Sequence, residues 1–241
     1  SRYRQQAGWT KQLRDFIISQ LYLPKQAKIL EVGCGSCAVL DDFSNQEYDL
    51  YGLDIDYQVL KYSNQHVKEA KLINANGMHI PFQNDTFDLC FCHYLLLWLK
   101  EPESILQEMV RVLKKSRWIC CFAEPDYQSR IDFPSQLEKL GLMQNSALIQ
   151  QGVNIKAGRN LVDWIKQNNL SHIHWGILGS HQNPDNDLDR ENTEWSTLER
   201  DLQNNFSQEE VSFYKKIVQE INSDGIRILF IPTFYVYAQK Q

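Results

Sequence analysis

The 241-residue chain has no surplus of positive charge: 25 Lys and Arg stand against 30 Asp and Glu, a net charge of −5. That balance argues against a general nucleic-acid surface, because phosphate binding draws on concentrated basic side chains. The one basic cluster, Lys114-Lys115-Ser116-Arg117, falls at the expected end of a helix, where the helix dipole favours cations. The chain also lacks an apolar run long enough to span a bilayer, and no signal-peptide pattern opens it. A cytoplasmic location is the expectation. The six cysteines, Cys34 and Cys37, Cys90 and Cys92, Cys120 and Cys121, do not repeat a Cys-x2-Cys pair at zinc-ribbon spacing. No metal site is expected of them, and small buried thiols in a reducing compartment are. Internal repeats and low-complexity tracts are absent as well. The first residue is Ser rather than Met, so a longer polypeptide with a fused partner stays open.

What the chain does have is concentrated in residues 29 to 40, Ile-Leu-Glu-Val-Gly-Cys-Gly-Ser-Cys-Ala-Val-Leu. They read as a buried strand running into a glycine turn that opens a helix. Gly33 and Gly35 let the backbone bend and approach a ligand without a Cβ in the way, and Ala38 completes a G-x-G-x-x-A spacing. The spacing alone is a weak signal. It gains weight from Glu31, just before the glycines, and from a second strand, 49 to 55, that ends in Leu-Asp-Ile-Asp. Asp54 falls about 20 residues beyond the turn, where a carboxylate accepts the ribose hydroxyls of a nucleoside.

The charge of the ligand separates two cofactor classes. A dinucleotide pyrophosphate needs bare amides at a helix N-terminus, and an acid before the glycines repels it. The ammonium and sulfonium of S-adenosylmethionine suit Glu31. Further along, Asn76-Gly77-Met78-His79-Ile80-Pro81-Phe82 and Phe87-Asp88-Leu89 supply an adenine-edge loop and a further parallel strand. On these residues the chain resembles the class I S-adenosylmethionine-dependent methyltransferases, the seven-stranded Rossmann-like family, over residues 29 to 124, and in particular their small-molecule type. The resemblance implies a cofactor site built from Glu31, Gly33, Cys34 and Gly35 at the methionine end. It places Asp54 and Ile55 at the ribose, Asn76, Gly77 and Met78 at the adenine, and Cys92 on the next strand end. Tyr3 and Trp9 would close over the cofactor from the N-terminal segment, although core packing suits Trp9 equally. Two departures stand out: Cys37 replaces the last glycine of Gly-x-Gly-x-Gly, and Asn76 replaces an adenine-contacting acid.

The rest of the pattern predicts an N-terminal helix over 3 to 23, then strands at 29–32, 49–54, 72–74, 87–92 and 117–123. These alternate with helices at 36–44, 57–69 and 102–113. Such alternation demands a doubly wound α/β fold, a parallel sheet with helices on both faces, and the resemblance implies seven mostly parallel strands. Helices are expected at 134–150 and 158–168, a strand near 172–178 and a loop over 181–195. Ser207-x-x-Glu210 reads as a capping box ahead of a helix bearing Val211, Tyr214, Val218 and Ile221. Residues 226 to 237, rich in β-branched and aromatic side chains, read as a strand broken at Pro232, and the resemblance implies that it is the last, antiparallel one. One domain follows: an N-terminal helical cap (1–24), a cofactor core (25–133), a helical lid insertion that covers the substrate (134–225) and a terminal strand (226–241).

Ligands in open α/β sheets lie beyond the carboxyl ends of the strands. His93, after the strand at 87–92, is a candidate for substrate contact or proton transfer. Glu124-Pro125-Asp126-Tyr127-Gln128-Ser129-Arg130 is the densest polar cluster nearby. Its functional reading gives Glu124 or Asp126 a proton-accepting role and Tyr127 a closing one, while its structural reading is a solvated loop with an Asp126 to Arg130 ion pair. The activity expected is methyl transfer from S-adenosylmethionine to an O or N atom of a small metabolite, a natural product or a modified peptide end. An RNA methyltransferase, a catalytically silent cofactor-binding module and, last, an NAD-dependent oxidoreductase are the competing readings.

Overall fold

A computed structural model describes residues 7–44, 47–64, 67, 69–179 and 188–241. Helix α1 (Lys11–Gln20) precedes strand β1 (Lys28–Val32), then β2 (Asp49–Asp54), α2 (Tyr57–Ser63), β3 (Ala70–Asn74), β4 (Phe87–Cys92) and α3 (Pro102–Val112). After these come β5 (Leu113–Pro125), the short β6 (Ile131–Phe133), α4 (Glu138–Gln150), α5 (Ala157–Lys166) and β7 (Leu170–Leu178). Helices α6 (Leu188–Leu202) and α7 (Gln208–Ser223) lead to β8 (Ile228–Phe230) and β9 (Thr233–Lys240). Seven strands form one sheet in the order β3-β2-β1-β4-β5-β9-β7, and β6 and β8 form a separate pair. Strands β1 to β5 pair in parallel, while β9 runs antiparallel to both β5 and β7. This is the doubly wound, mostly parallel sheet with one antiparallel strand near its end.

Period-two alternation sorts the central strands between two cores. Leu30, Val32, Cys90, Cys92, Ile119 and Cys121 face one side, packed with Ile105, Leu106 and Met109 of α3 and Leu161, Trp164 and Ile165 of α5. Ile29, Leu89, Phe91, Cys120 and Phe122 face the other, against Ile17 of α1 and Leu40 and Phe43. All six cysteines are free and buried. A third cluster joins α4, α6 and α7 through Leu140, Met143, Trp195, Leu198, Tyr214 and Val218. The expected capping box is in place: the Glu210 amide donates to Ser207 Oγ at 3.2 Å and the Ser207 amide to Glu210 Oε2 at 3.1 Å.

Several expectations need correction. The helix expected at 36–44 is a turn followed by a single 3-10 turn at Leu40–Phe43, because Cys37 sits at φ +58° and breaks helical geometry there. The helix after β2 stops at Ser63 rather than 69, and residues 65, 66 and 68 lie outside the described residues. The 181–195 loop is helical from Leu188 onward, where Trp195, Leu198 and Leu202 recur at helical spacing and bury against α4; 180–187 lie outside the described residues. The terminal strand is two strands, separated at Ile231-Pro232, and the first of them pairs with the unforeseen β6. The basic cluster at 114–117 lies within β5, not at a helix end. Lys114 and Arg117 reach the buried Asp88 carboxylate at 2.8 and 3.2 Å, so two of its three cations are spent inside the fold.

Helix α5 crosses the end of β5 at a glycine. A Cβ at Gly158 would stand 2.6 Å from Phe234 Cδ2 and 2.7 Å from the Glu124 carbonyl oxygen. Backbone cannot give way as a flexible side chain does, so Gly158→Ala is expected to lower unfolding free energy by about 1–3 kcal/mol, read from urea denaturation.

Candidate cofactor and substrate site

The carboxyl ends of β1, β2 and β4 meet at the glycine turn. Gly33 and Gly35 take φ +71° and +48°, a region costly for residues with a Cβ. At Gly33 a Cβ would also lie 2.6 Å from Leu95 Cδ1. The amides of Gly33 and Cys34 both donate to the Leu53 carbonyl, at 2.8 and 3.0 Å, and the Gly35 amide donates to Asp54 Oδ2 at 2.8 Å. Asp54 Oδ1 accepts the Asp56 amide at 2.9 Å. A carboxylate has about four acceptor directions. Two remain on Asp54, enough for a pair of hydroxyls.

Glu31 is buried, and one oxygen accepts the Leu40 amide at 3.1 Å. Burial and the neighbouring Cys37 thiol push its carboxyl well above the ordinary range, and the Leu40 amide and Arg14 only partly offset this. In the glycine turn, Ser36 Oγ is buried with no hydrogen-bond partner among the described residues.

On the neighbouring side, Asn76 Oδ1 accepts the Met78 amide at 3.0 Å, and Gly77 packs below. Arg111 of α3 fixes the following loop by donating to the carbonyls of Ile80 and Phe82, both at 2.8 Å. Glu108 accepts the Ile80 amide, also at 2.8 Å. Asp54 and Asn74 are register partners at the ends of β2 and β3, which sets Asp54 and the 75–78 loop side by side.

A cavity of about 130 Å³ opens from the turn. Glu31, Gly33, Cys34, Ala38 and Val39 form one wall, and His93, Tyr94, Leu97, Trp98, Tyr127 and Leu148 form the others. Of the four candidate catalytic residues, His93 and Tyr127 line it and Glu124 and Asp126 do not. Glu124 is completely buried and receives the amides of Leu95, Leu96 and Leu97 at 2.9–3.0 Å, so both of its oxygens hold the backbone after β4. Asp126 caps the next turn through the Ser129 amide at 3.1 Å and pairs with both Arg159 Nε and Nη2. The Asp126 to Arg130 pair is not formed; Arg130 binds Asp132 at 2.6 and 2.8 Å, and its third contact is Gln144 Oε1 at 2.6 Å. Both carboxylates therefore serve as anchors of loops rather than as groups facing the cavity.

The cofactor-side candidates divide too. Cys92 is wholly buried in the sheet core and its thiol is engaged with Cys121, so it stands beneath the site. Ile55 is 72% exposed. Trp9 is 40% exposed and stands outside the cavity wall, and Tyr3 lies outside the described residues. The sequence reading missed Thr10, Arg14 and Asp42. Thr10 Oγ1 lies 2.8 Å from His93 Nε2, and Arg14, 1% exposed, joins Thr10 to Asp42. A signal existed: Arg14 interrupts the apolar face of α1 three residues before Ile17, a position where a cation is buried only if paired.

Residues 30–121 match the family profile described as "Methyltransferase domain". Over that stretch, less than half of its length, the chain is similar to methyltransferases. An uncharacterised methyltransferase of Schizosaccharomyces pombe is 28% identical over 157 residues, covering 59% of this chain and 56% of its own length. A demethylmenaquinone methyltransferase of a Geobacillus species is 30% identical over 127 residues, covering 49% and 53%. The chain thus spans about half the length of the curated relatives it matches. Among solved structures, the geranyl diphosphate C-methyltransferase of Streptomyces coelicolor, crystallised with Mg²⁺, geranyl diphosphate and S-adenosylhomocysteine, superposes with a TM-score of 0.61. Its identity is 14%, over 96% of this chain and 78% of that one.

Burial raises the Glu124 carboxyl to about 7 from 4.5, against the pull of three amides. Between those values the folded state holds the proton more tightly than the unfolded chain does. The contribution of Glu124 to stability is then greatest at the acid end, falls as pH rises toward 7 and levels off above it. Glu124→Gln turns an amide group toward three N–H donors and is expected to cost about 2–4 kcal/mol. Denaturant titrations across pH 4.5 to 7 are expected to show the gap between wild type and variant narrowing as pH rises.

Proposed function

We propose that the protein transfers a methyl group from S-adenosylmethionine to an O or N atom of a small metabolite or natural product, a modified peptide terminus included. The observation that carries this reading is the shared cavity. One wall is the glycine turn with its under-compensated acid, and the others are aromatic and aliphatic side chains from the segments after β4 and β5 and from α4. Glu31, Ser36 and the positive-φ glycines fit the amino-acid end of the cofactor, the two free acceptor directions of Asp54 fit its ribose, and Asn76 with Met78 fits its adenine. Bound there, S-adenosylmethionine supplies an electrophilic methyl group on a sulfonium.

The work of the protein's own groups is mainly alignment. Leu97, Trp98, Tyr127 and Leu148 exclude water and hold an apolar acceptor against the turn, and alignment of this kind is worth effective molarities of about 10⁵ M or more. Helices α4, α6 and α7, with their own apolar cluster, act as the substrate lid: Leu148 reaches the cavity from α4. Neither Glu124 nor Asp126 is needed as a base, since both are committed to loop anchoring. His93 and Tyr127 are the polar contacts available to the acceptor.

Small acceptors are favoured by the relatives, whose names give demethylmenaquinone and geranyl diphosphate as substrates. An RNA acceptor is disfavoured by the net charge and by the engagement of Lys114 and Arg117 with Asp88.

Asp54→Ala is expected to weaken S-adenosylhomocysteine binding at least tenfold, about 1.4 kcal/mol, in isothermal titration calorimetry, with the far-UV circular dichroism spectrum retained. Unchanged affinity in a folded variant removes Asp54 from the ribose site.

A further inference from the structure

Thr10, Arg14 and Asp42 form a buried relay that ends on the cavity wall and that methyl transfer as described does not use. Asp42 Oδ2 accepts Arg14 Nε at 3.0 Å and Nη2 at 2.5 Å, while Nη1 donates to the Ala7 carbonyl at 2.6 Å and to Thr10 Oγ1. A guanidinium only donates. Thr10 therefore spends a lone pair on Arg14 and keeps one hydroxyl proton to give.

That proton has two takers. The Ala7 carbonyl is 3.3 Å away and already accepts from Arg14 and from the Thr10 amide. His93 Nε2 is 2.8 Å away and has no other hydrogen bond among the described residues. The nearer, unshared acceptor is the better one, and donation into the same oxygen by a cation strengthens the hydroxyl as a donor.

Resting on the cavity reading above, we propose that Thr10, held by the Arg14–Asp42 pair, fixes His93 as the neutral Nδ1–H tautomer, which offers the substrate a hydrogen-bond donor. The acceptor molecule would then carry an oxygen that receives this bond, a carbonyl or a hydroxyl already deprotonated, and His93 would orient it rather than remove its proton. The ring stays neutral: burial, and then the charge of Arg14, hold its titration down at about 3. Nε2 is occupied by Thr10, so Nδ1 is the remaining polar atom of a ring that lines the cavity. The edge of Tyr94, with ring centroids 4.6 Å apart, steadies the plane of the imidazole. Thr10 and Arg14 are positioning residues in this arrangement.

The tautomer is read directly by long-range ¹H–¹⁵N correlation on the full chain labelled at histidine, with the His93 signals assigned through His93→Gln. The expected spectrum has the proton on Nδ1 and a bare Nε2. Thr10→Val keeps the shape and removes the hydroxyl; it is expected to lose the single tautomer, and Thr10→Ser to restore it. A proton on Nε2 in the wild type overturns the proposal even if the valine variant does not fold, and so does an unchanged spectrum in Thr10→Val. Calorimetry with S-adenosylhomocysteine on the same wild-type sample separates the two failures. Binding with the wrong tautomer removes only the Thr10 relay, whereas absent binding removes the cofactor site on which it rests.

Discussion

Everything at the active end of this protein depends on how β1 turns. The chain leaves the sheet through two glycines at positive φ, and three consecutive amides there are tied to β2: Gly33 and Cys34 to the Leu53 carbonyl, Gly35 to the Asp54 carboxylate. The turn is pinned to the next strand rather than to a long helix behind it, and Asp54 shapes it; on the proposed reading the remaining acceptor directions of the same carboxylate serve the ribose. Glu31 adds the electrostatic side of the same constraint. A buried acid with one amide partner stands where a pyrophosphate would be repelled, and on the proposed reading it faces the cationic end of the cofactor.

The second wall of the cavity is held by acids that never reach it. Glu124 receives three successive amides after β4 and thereby fixes the segment carrying Leu97 and Trp98. Asp126, paired with Arg159, fixes the turn that presents Tyr127. Arg14 and Asp42 hold Thr10 against His93, which lines the cavity. Two ion pairs and one amide-bound carboxyl hold apolar and neutral polar groups around one space, which suits a displacement reaction whose rate comes from alignment and exclusion of water more than from proton transfer.

Much of this was legible in the sequence, for physical reasons. Strand alternation, the glycine spacing and the acids flanking it are local signals, and they led directly to the parallel core of the sheet and to the turn at Gly33. The capping box at Ser207 and Glu210 and the break at Pro232 are local as well. What was not legible depended on partners far apart in the chain. A Glu at a strand end reads the same whether it faces substrate or takes three amides 27 to 29 residues away. Asp126 had a basic neighbour at Arg130, but the fold brings Arg159 to it across 33 residues. Cys37 at φ +58° replaced the expected helix with a single 3-10 turn.

The most direct test of the central claim is transfer itself. Incubating the protein with methyl-labelled S-adenosylmethionine and a fractionated cell extract, then following the label by mass spectrometry, distinguishes small molecules from peptides, proteins and RNA. The account predicts label in a low-molecular-weight fraction, on an O or N atom of an acceptor with substantial apolar surface. Label confined to RNA, or no label in any fraction from a sample that binds the cofactor, would contradict it.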